Sequence, residues 1–171
     1  MKNLAENVRA QISEAFRGVK LGEGVSLKQA DVINTYNSAG LNEREFDALK
    51  NSEVVSDWQA IPRDQIANFE CIAHLDAAGL RYYLPALMLR LLEEYYPSMR
   101  VIGTIQALYP KKDFWAYHME RYKLLSIEQK RAIACFMQAL PKIISLDEDD
   151  GKAIERGLRN YWCEFLPRHG D

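Results

Sequence analysis

The sequence has little cysteine, no strong excess of either charge and no long apolar run. Its three cysteines, Cys71, Cys135 and Cys163, are odd in number and far apart. That excludes the disulfide framework of a small secreted domain. They read as small buried hydrophobes in a reducing compartment. Twenty-two Lys and Arg stand against 24 Asp and Glu, a net charge of −2. Nucleic-acid binders carry a clear basic excess, so no nucleic-acid partner is expected. The longest apolar stretch, residues 84–92, carries Arg90 and falls short of the roughly 20 residues of a membrane span. The first seven residues hold one lysine and no apolar centre, unlike a signal peptide. The expectation is a cytoplasmic protein with no membrane partner.

Recognisable catalytic and cofactor motifs are also missing. The chain has no Gly-x-Ser-x-Gly, His-Glu-x-x-His or Cys-x-x-Cys. Gly22-Glu23-Gly24 lacks the Gly-Lys-Ser/Thr of a phosphate loop, and no strand precedes it. Cys71 and His74 share a helical spacing, but a metal needs three or four ligands. Neighbouring Glu70 and Asp76 complete no known pattern, so a packed cysteine and a hydrogen-bonded histidine are expected. In the acidic run Asp147-Glu148-Asp149-Asp150, placing Gly151 at position 6 of a calcium loop puts Leu146 at position 1 and Gly157 at position 12. Both fail. The carboxylates suit a helix N-terminus instead. No metal, no cofactor and no catalytic residue is expected.

What is present is enough apolar material for one domain. The 171 residues are 48% apolar and 27% charged. A chain this size buries roughly 70% of its unfolded surface. No segment alternates with period two for long; Val54-Val55 is the best strand fragment. Helical spacing dominates. Leu4, Val8, Ile12, Ala15, Phe16 and Val19 mark a helix over 2–18, ended by glycines. Ser26 with Gln29 opens a second, with Ala30, Ile33 and Tyr36 inward; Ser38-Ala39-Gly40 ends it. Asn42 caps a third over 43–50 that buries Phe46 and Leu49. Another starts at Pro62 and continues through Ile66, Phe69 and Ile72 toward His74. Asp76 caps the segment 77–96, which Pro85 should divide into a short helix to Tyr83 and a second from Pro85; Pro97 closes it. Ser98 caps a helix with Val101, Ile102, Ile105, Leu108 and Tyr109 inward. Ser126 with Gln129 opens a helix ended by Pro141. The final helix carries Ile154, Leu158, Tyr161, Trp162 and Phe165 on one face, with Glu155 and Arg159 paired. The sum is an all-α, single-domain bundle over 1–171, of about seven to eight helices, one kinked at Pro85.

One cluster stands out. Lys111 and Lys112 precede Phe114, Trp115, Tyr117, His118, Arg121 and Tyr122. Such a segment forms core beneath a loop, a protein interface or a stacking platform. Arg81-Tyr82-Tyr83 is a second point of interest, since a buried arginine needs a partner. Candidate interface or ligand contacts are therefore Arg81, Tyr82, Trp115, His118, Arg121 and Tyr122.

The runs Trp58-x-x-Ile61-Pro62, Leu75-Asp76-x-x-Gly79-Leu80-Arg81-Tyr82-Tyr83-Leu84-Pro85-Ala86, Arg121-Tyr122-x-x-Leu125-Ser126-x-Glu128-Gln129-x-x-Ala132 and Tyr161-Trp162 together resemble a family of small bacterial proteins known only as a domain of unknown function. The resemblance covers about residues 26–162 and leaves out residues 1–25, the N-terminal helix and its glycine-rich loop. It implies a bacterial helical domain and carries no catalytic residues. The motif residues also have structural accounts: Gly79 permits an unusual backbone angle or close packing, and the aromatics combine apolar area with a polar handle.

The functional expectation is a non-enzymatic protein-binding module, with a toxin or a second copy of itself as partner. An immunity protein that occludes a toxin is its specific form. Two alternatives stand beside it: an enzyme of unfamiliar class with a site near Arg81 and His118, and a homodimeric structural protein joined through 114–122.

Overall fold

The computed structural model describes residues 2–35, 40–53, 56–67, 69, 71–95 and 103–167. Among the described residues the chain forms nine α-helices and no strand. Helix α1 (Lys2–Ala15) forms on its apolar stripe, burying Val8 and Ile12, with Phe16 just beyond its end. Gly18 and Gly22 then adopt φ of 72° and 56°, the left-handed region that a side chain resists. Their conformation turns the chain toward α2 (Leu27–Asn34). There the Ser26 hydroxyl accepts from the Gln29 N–H while the Gln29 side chain accepts from the Ser26 N–H. Asn42 and Glu45 make the same reciprocal cap on α3 (Glu43–Ala48).

Several expectations need correction. Phe46 and Leu49 are half-buried and lie outside the core, because α3 is short and gives way to a 3-10 turn, Leu49–Ser52. The helix expected to reach His74 stops as α4 (Arg63–Ala67). A separate 3-10 turn, Ile72–His74, follows. The Arg121 guanidinium donates to the carbonyls of Ile72 and Leu75, and the Ile72 carbonyl also accepts the Leu75 N–H, which pins this turn in place. The division at Pro85 is absent: α5 (Ala77–Glu93) runs as one helix through it. Pro85 cannot bond the Arg81 carbonyl, but its ring is buried in the core, which offsets that loss. Among the described residues the helix of the next segment is α6 (Thr104–Ala107), entered through Gly103. Pro141 lies inside the last turn of α8 (Ile127–Ile143), not beyond it. Tyr36, Ser38, Ala39, Val54, Val55, Glu70, Tyr96, Pro97, Ser98, Val101 and Ile102 lie outside the described residues.

The Ser126–Gln129 capping box on α8 is present. The acidic run opens α9 (Glu148–Asn160), where the Asp147 carboxylate accepts from the Asp150 N–H at 2.7 Å. Trp162–Phe165 follows as a 3-10 turn. Helix α5 occupies the centre, packed against α1, α4, α6, α8 and α7 (Trp115–Tyr122). Leu84 and Met88 of α5, Ile133, Phe136 and Leu140 of α8, and Trp162 are fully buried in one continuous core. Each such side chain contributes roughly 1.5–3 kcal/mol on burial.

Gly79 serves close packing, with no positive φ. A Cβ there would lie 2.5 Å from the Val25 carbonyl oxygen, and one on Gly24 would lie 2.7 Å from the Gly79 nitrogen. The first turn of α5 thus sits directly on the backbone before α2. No helix among the described residues is long and apolar enough to cross a membrane.

Candidate functional site

Helix α7 has two unlike faces. His118, Arg121 and Tyr122 point inward and are buried. Every residue from Lys111 to Tyr117 is exposed. A 3-10 turn, Lys112–Phe114, leads into the helix and carries the first aromatic outward.

The inner face locks the helix in place. Arg121 Nε donates to the Leu75 carbonyl at 3.1 Å, and Nη2 donates to the Ile72 carbonyl. Its guanidinium lies 5.2 Å from the centre of the Tyr117 ring, within cation–π range. Burial lowers the Arg121 pKa. The Tyr117 hydroxyl donates to the Ala73 carbonyl at 2.6 Å. Tyr122 donates to the Ala107 carbonyl at 2.5 Å and lies 3.4 Å from His118 Nδ1. Burial, then the nearby Arg121 cation, pulls the His118 pKa down to about 4. The imidazole is therefore neutral at physiological pH and a weak base.

Beside α7 runs an aromatic ledge. Trp115 meets the Tyr161 ring edge-on at 5.8 Å, and Tyr161 meets Phe165 at 5.3 Å. Tyr122 stacks beneath Tyr161 at 5.7 Å. The Lys130 ammonium sits 5.6 Å from the Tyr161 ring centre and 5.1 Å from that of Phe165.

The structure thus gathers Trp115, His118, Arg121 and Tyr122 on one helix and leaves Arg81 and Tyr82 on α5. Arg81 is half-buried, and its Nε donates to Gln129 Oε1 at 3.2 Å. Tyr82 is fully buried against Tyr83. Burial and the Asp57 carboxylate push its pKa up to about 12. Arg81 and His118 share no hydrogen bond or ring contact. Of the six candidates, Trp115 is the one exposed to solvent. Sequence reasoning missed Tyr161, Phe165 and Lys130 as surface elements. Their contact with Trp115 depends on how α8 and the C-terminal turn pack, which no local spacing reveals.

Cys71 Sγ is 3.7 Å from Asp31 Oδ1, and His74 Nε2 is 3.1 Å from Asn34 Oδ1. Among the described residues no group of three or more His, Cys, Asp or Glu is placed to hold a metal ion. Two surface depressions of ≈ 550 Å³ lie on α3 and between the end of α8 and the side of α9. None of the six candidates lines either one.

Fold and surface define a small all-α protein whose most distinctive outward feature is an aromatic, lysine-flanked helix end. Residues 4–166 match the family of unknown function DUF6714, and the chain belongs to that family. The match takes in α1 and the glycine turn, which the resemblance over 26–162 leaves out. No match was found among curated proteins or solved structures.

Proposed function

We propose that the chain is a non-enzymatic protein-binding module whose contact surface is the exposed end of α7. One observation carries this reading: Phe114, Trp115 and Tyr117 stand 60%, 39% and 43% exposed within four residues. Tryptophan and tyrosine are the residues that anchor protein interfaces. Here they rise from a helix whose inner face is bonded to the core, so little ordering entropy is lost on binding. The specific form of the reading is a bacterial, cytoplasmic immunity protein, with a toxin covered by this surface. A second copy of the chain is the other occupant it would accept. The alternative of a catalytic site at Arg81 and His118 draws little support. His118 is a weakly basic, buried imidazole, and Arg81 is engaged with a helix cap.

A photo-crosslinking amino acid placed at Phe114 in living cells tests the proposal. The expected result is a discrete adduct with one protein, absent when the same group replaces Gln138 on the exposed side of α8. Equal, diffuse crosslinking from both positions would overturn it.

A further inference from the structure

The net charge of the chain hides a local reversal. Residues 111–131 hold six Lys or Arg against three Asp or Glu, while the whole chain is at −2. Two of those three acids have local partners. Glu120 is paired with Lys123, and Glu128 accepts from the Ser126 hydroxyl at 2.8 Å. The other three lysines are different. Among the described residues no carboxylate bonds to Lys111, Lys112 or Lys130. Lys111 lies over Tyr109, and Lys130 over both Tyr161 and Phe165. Ring faces hold an ammonium in place without neutralising its charge. Lys130 is thus a fixed cation beside a ledge whose outer edge is Trp115.

We infer that this ledge takes an acidic segment of a protein partner. An apolar side chain of that segment lies on Phe114 and Trp115, and a carboxylate meets the Lys130 ammonium. The inference rests on the protein-binding reading above and gives that partner its chemistry. Charge complementarity selects an acidic segment over a basic one and speeds its arrival. A nucleic-acid strand is the weaker fit. Asp113, exposed Glu164 and the acidic remainder of the chain would face a continuous line of phosphates. A protein segment needs only one or two well-placed carboxylates.

Selection of short randomised peptides displayed on phage, against the intact protein, tests this. Parallel selections use Phe114→Ala/Trp115→Ala and Lys130→Gln proteins, each checked for unchanged helicity. The expected winners are rich in Asp and Glu around an aromatic or leucine anchor. They are lost with the double variant and bind Lys130→Gln about five- to tenfold more weakly. Lys130→Arg retains them. Winners that need Phe114 and Trp115 but are neutral or basic would overturn the acidic inference and leave the protein-binding reading standing. Winners indifferent to Phe114 and Trp115, or no winners, would overturn both. Tighter binding of a labelled oligothymidine than of any selected peptide would overturn the inference in favour of nucleic acid.

Discussion

At the scale of single residues, α7 is fixed by groups that are unusual for where they sit. His118 is 6% exposed, and its pKa falls from the ordinary 6.5 to about 4. The unfolded chain binds this proton below about pH 6.5, whereas the native protein does not until about pH 4. Stability therefore falls as pH drops through that window, by about 3 kcal/mol at its lower end. Urea unfolding between pH 7 and 4 should show the loss, and His118→Gln should flatten it. An imidazole titrating near 6.5 by NMR would contradict the account. Arg121 is the second such group. Arg121→Met should destabilise by about 1–3 kcal/mol, because it removes the donor of the buried Leu75 carbonyl and leaves the Ile72 carbonyl with the Leu75 N–H alone. Arg121→Lys should recover only part, since an ammonium cannot reproduce the guanidinium fork. Thermal unfolding of the two variants checks both statements.

At the scale of elements, helices with a side-chain cap begin where the residues say, and their ends are set by packing. The caps at Ser26, Asn42, Asp76 and Ser126 were legible, because an N-cap is a local bond over three residues; of the acidic run only its place at a helix N-terminus was, not Asp147 as the cap. The turn at 72–74 was not legible. Arg121, which bonds the Ile72 and Leu75 carbonyls, lies far along the chain from them. Pro85 misled for the converse reason: its local cost is real, but burial on a central helix outweighs it. Glu53 shows a long-range cap. Its carboxylate accepts from the N–H groups of Leu27 and Lys28 at 3.1 and 2.7 Å and from the Tyr83 hydroxyl at 2.9 Å. Glu53→Ala should thus expose the first turn of α2, with faster amide exchange there than in α8. A global loss of about 1–3 kcal/mol should accompany it. Gly79→Ala should cost at least as much, since the Val25 carbonyl oxygen occupies the space a methyl group needs.

At the scale of the whole molecule, one apolar core runs from α1 through α5 and α8 to Trp162. That much follows from the 3.6-residue pattern, as does the all-α class. The candidate surface was half legible. The aromatic-basic run at 111–122 was visible as a cluster, yet its division into a buried face and an exposed face depends on which side α7 lays against α5. Trp58 and Trp162 are buried, so Trp115 is the tryptophan open to solvent. This gives a direct reading of the electrostatics. Iodide should quench the emission more than caesium does, because Lys111 and Lys112 precede Trp115 in the chain and Lys130 lies on the Tyr161 ring that Trp115 touches. Trp115→Phe should abolish the difference between the two quenchers.

The central claim is that the exposed end of α7 is a protein contact surface. It is tested most directly by side-by-side capture from the native cell, using wild-type protein, a Phe114→Ser/Trp115→Ser variant and a Gln138→Ser control. The account predicts one stoichiometric protein retained by wild type and control and lost by the double variant, with all three equally folded. A partner held equally by all three would place the contact elsewhere and contradict the account.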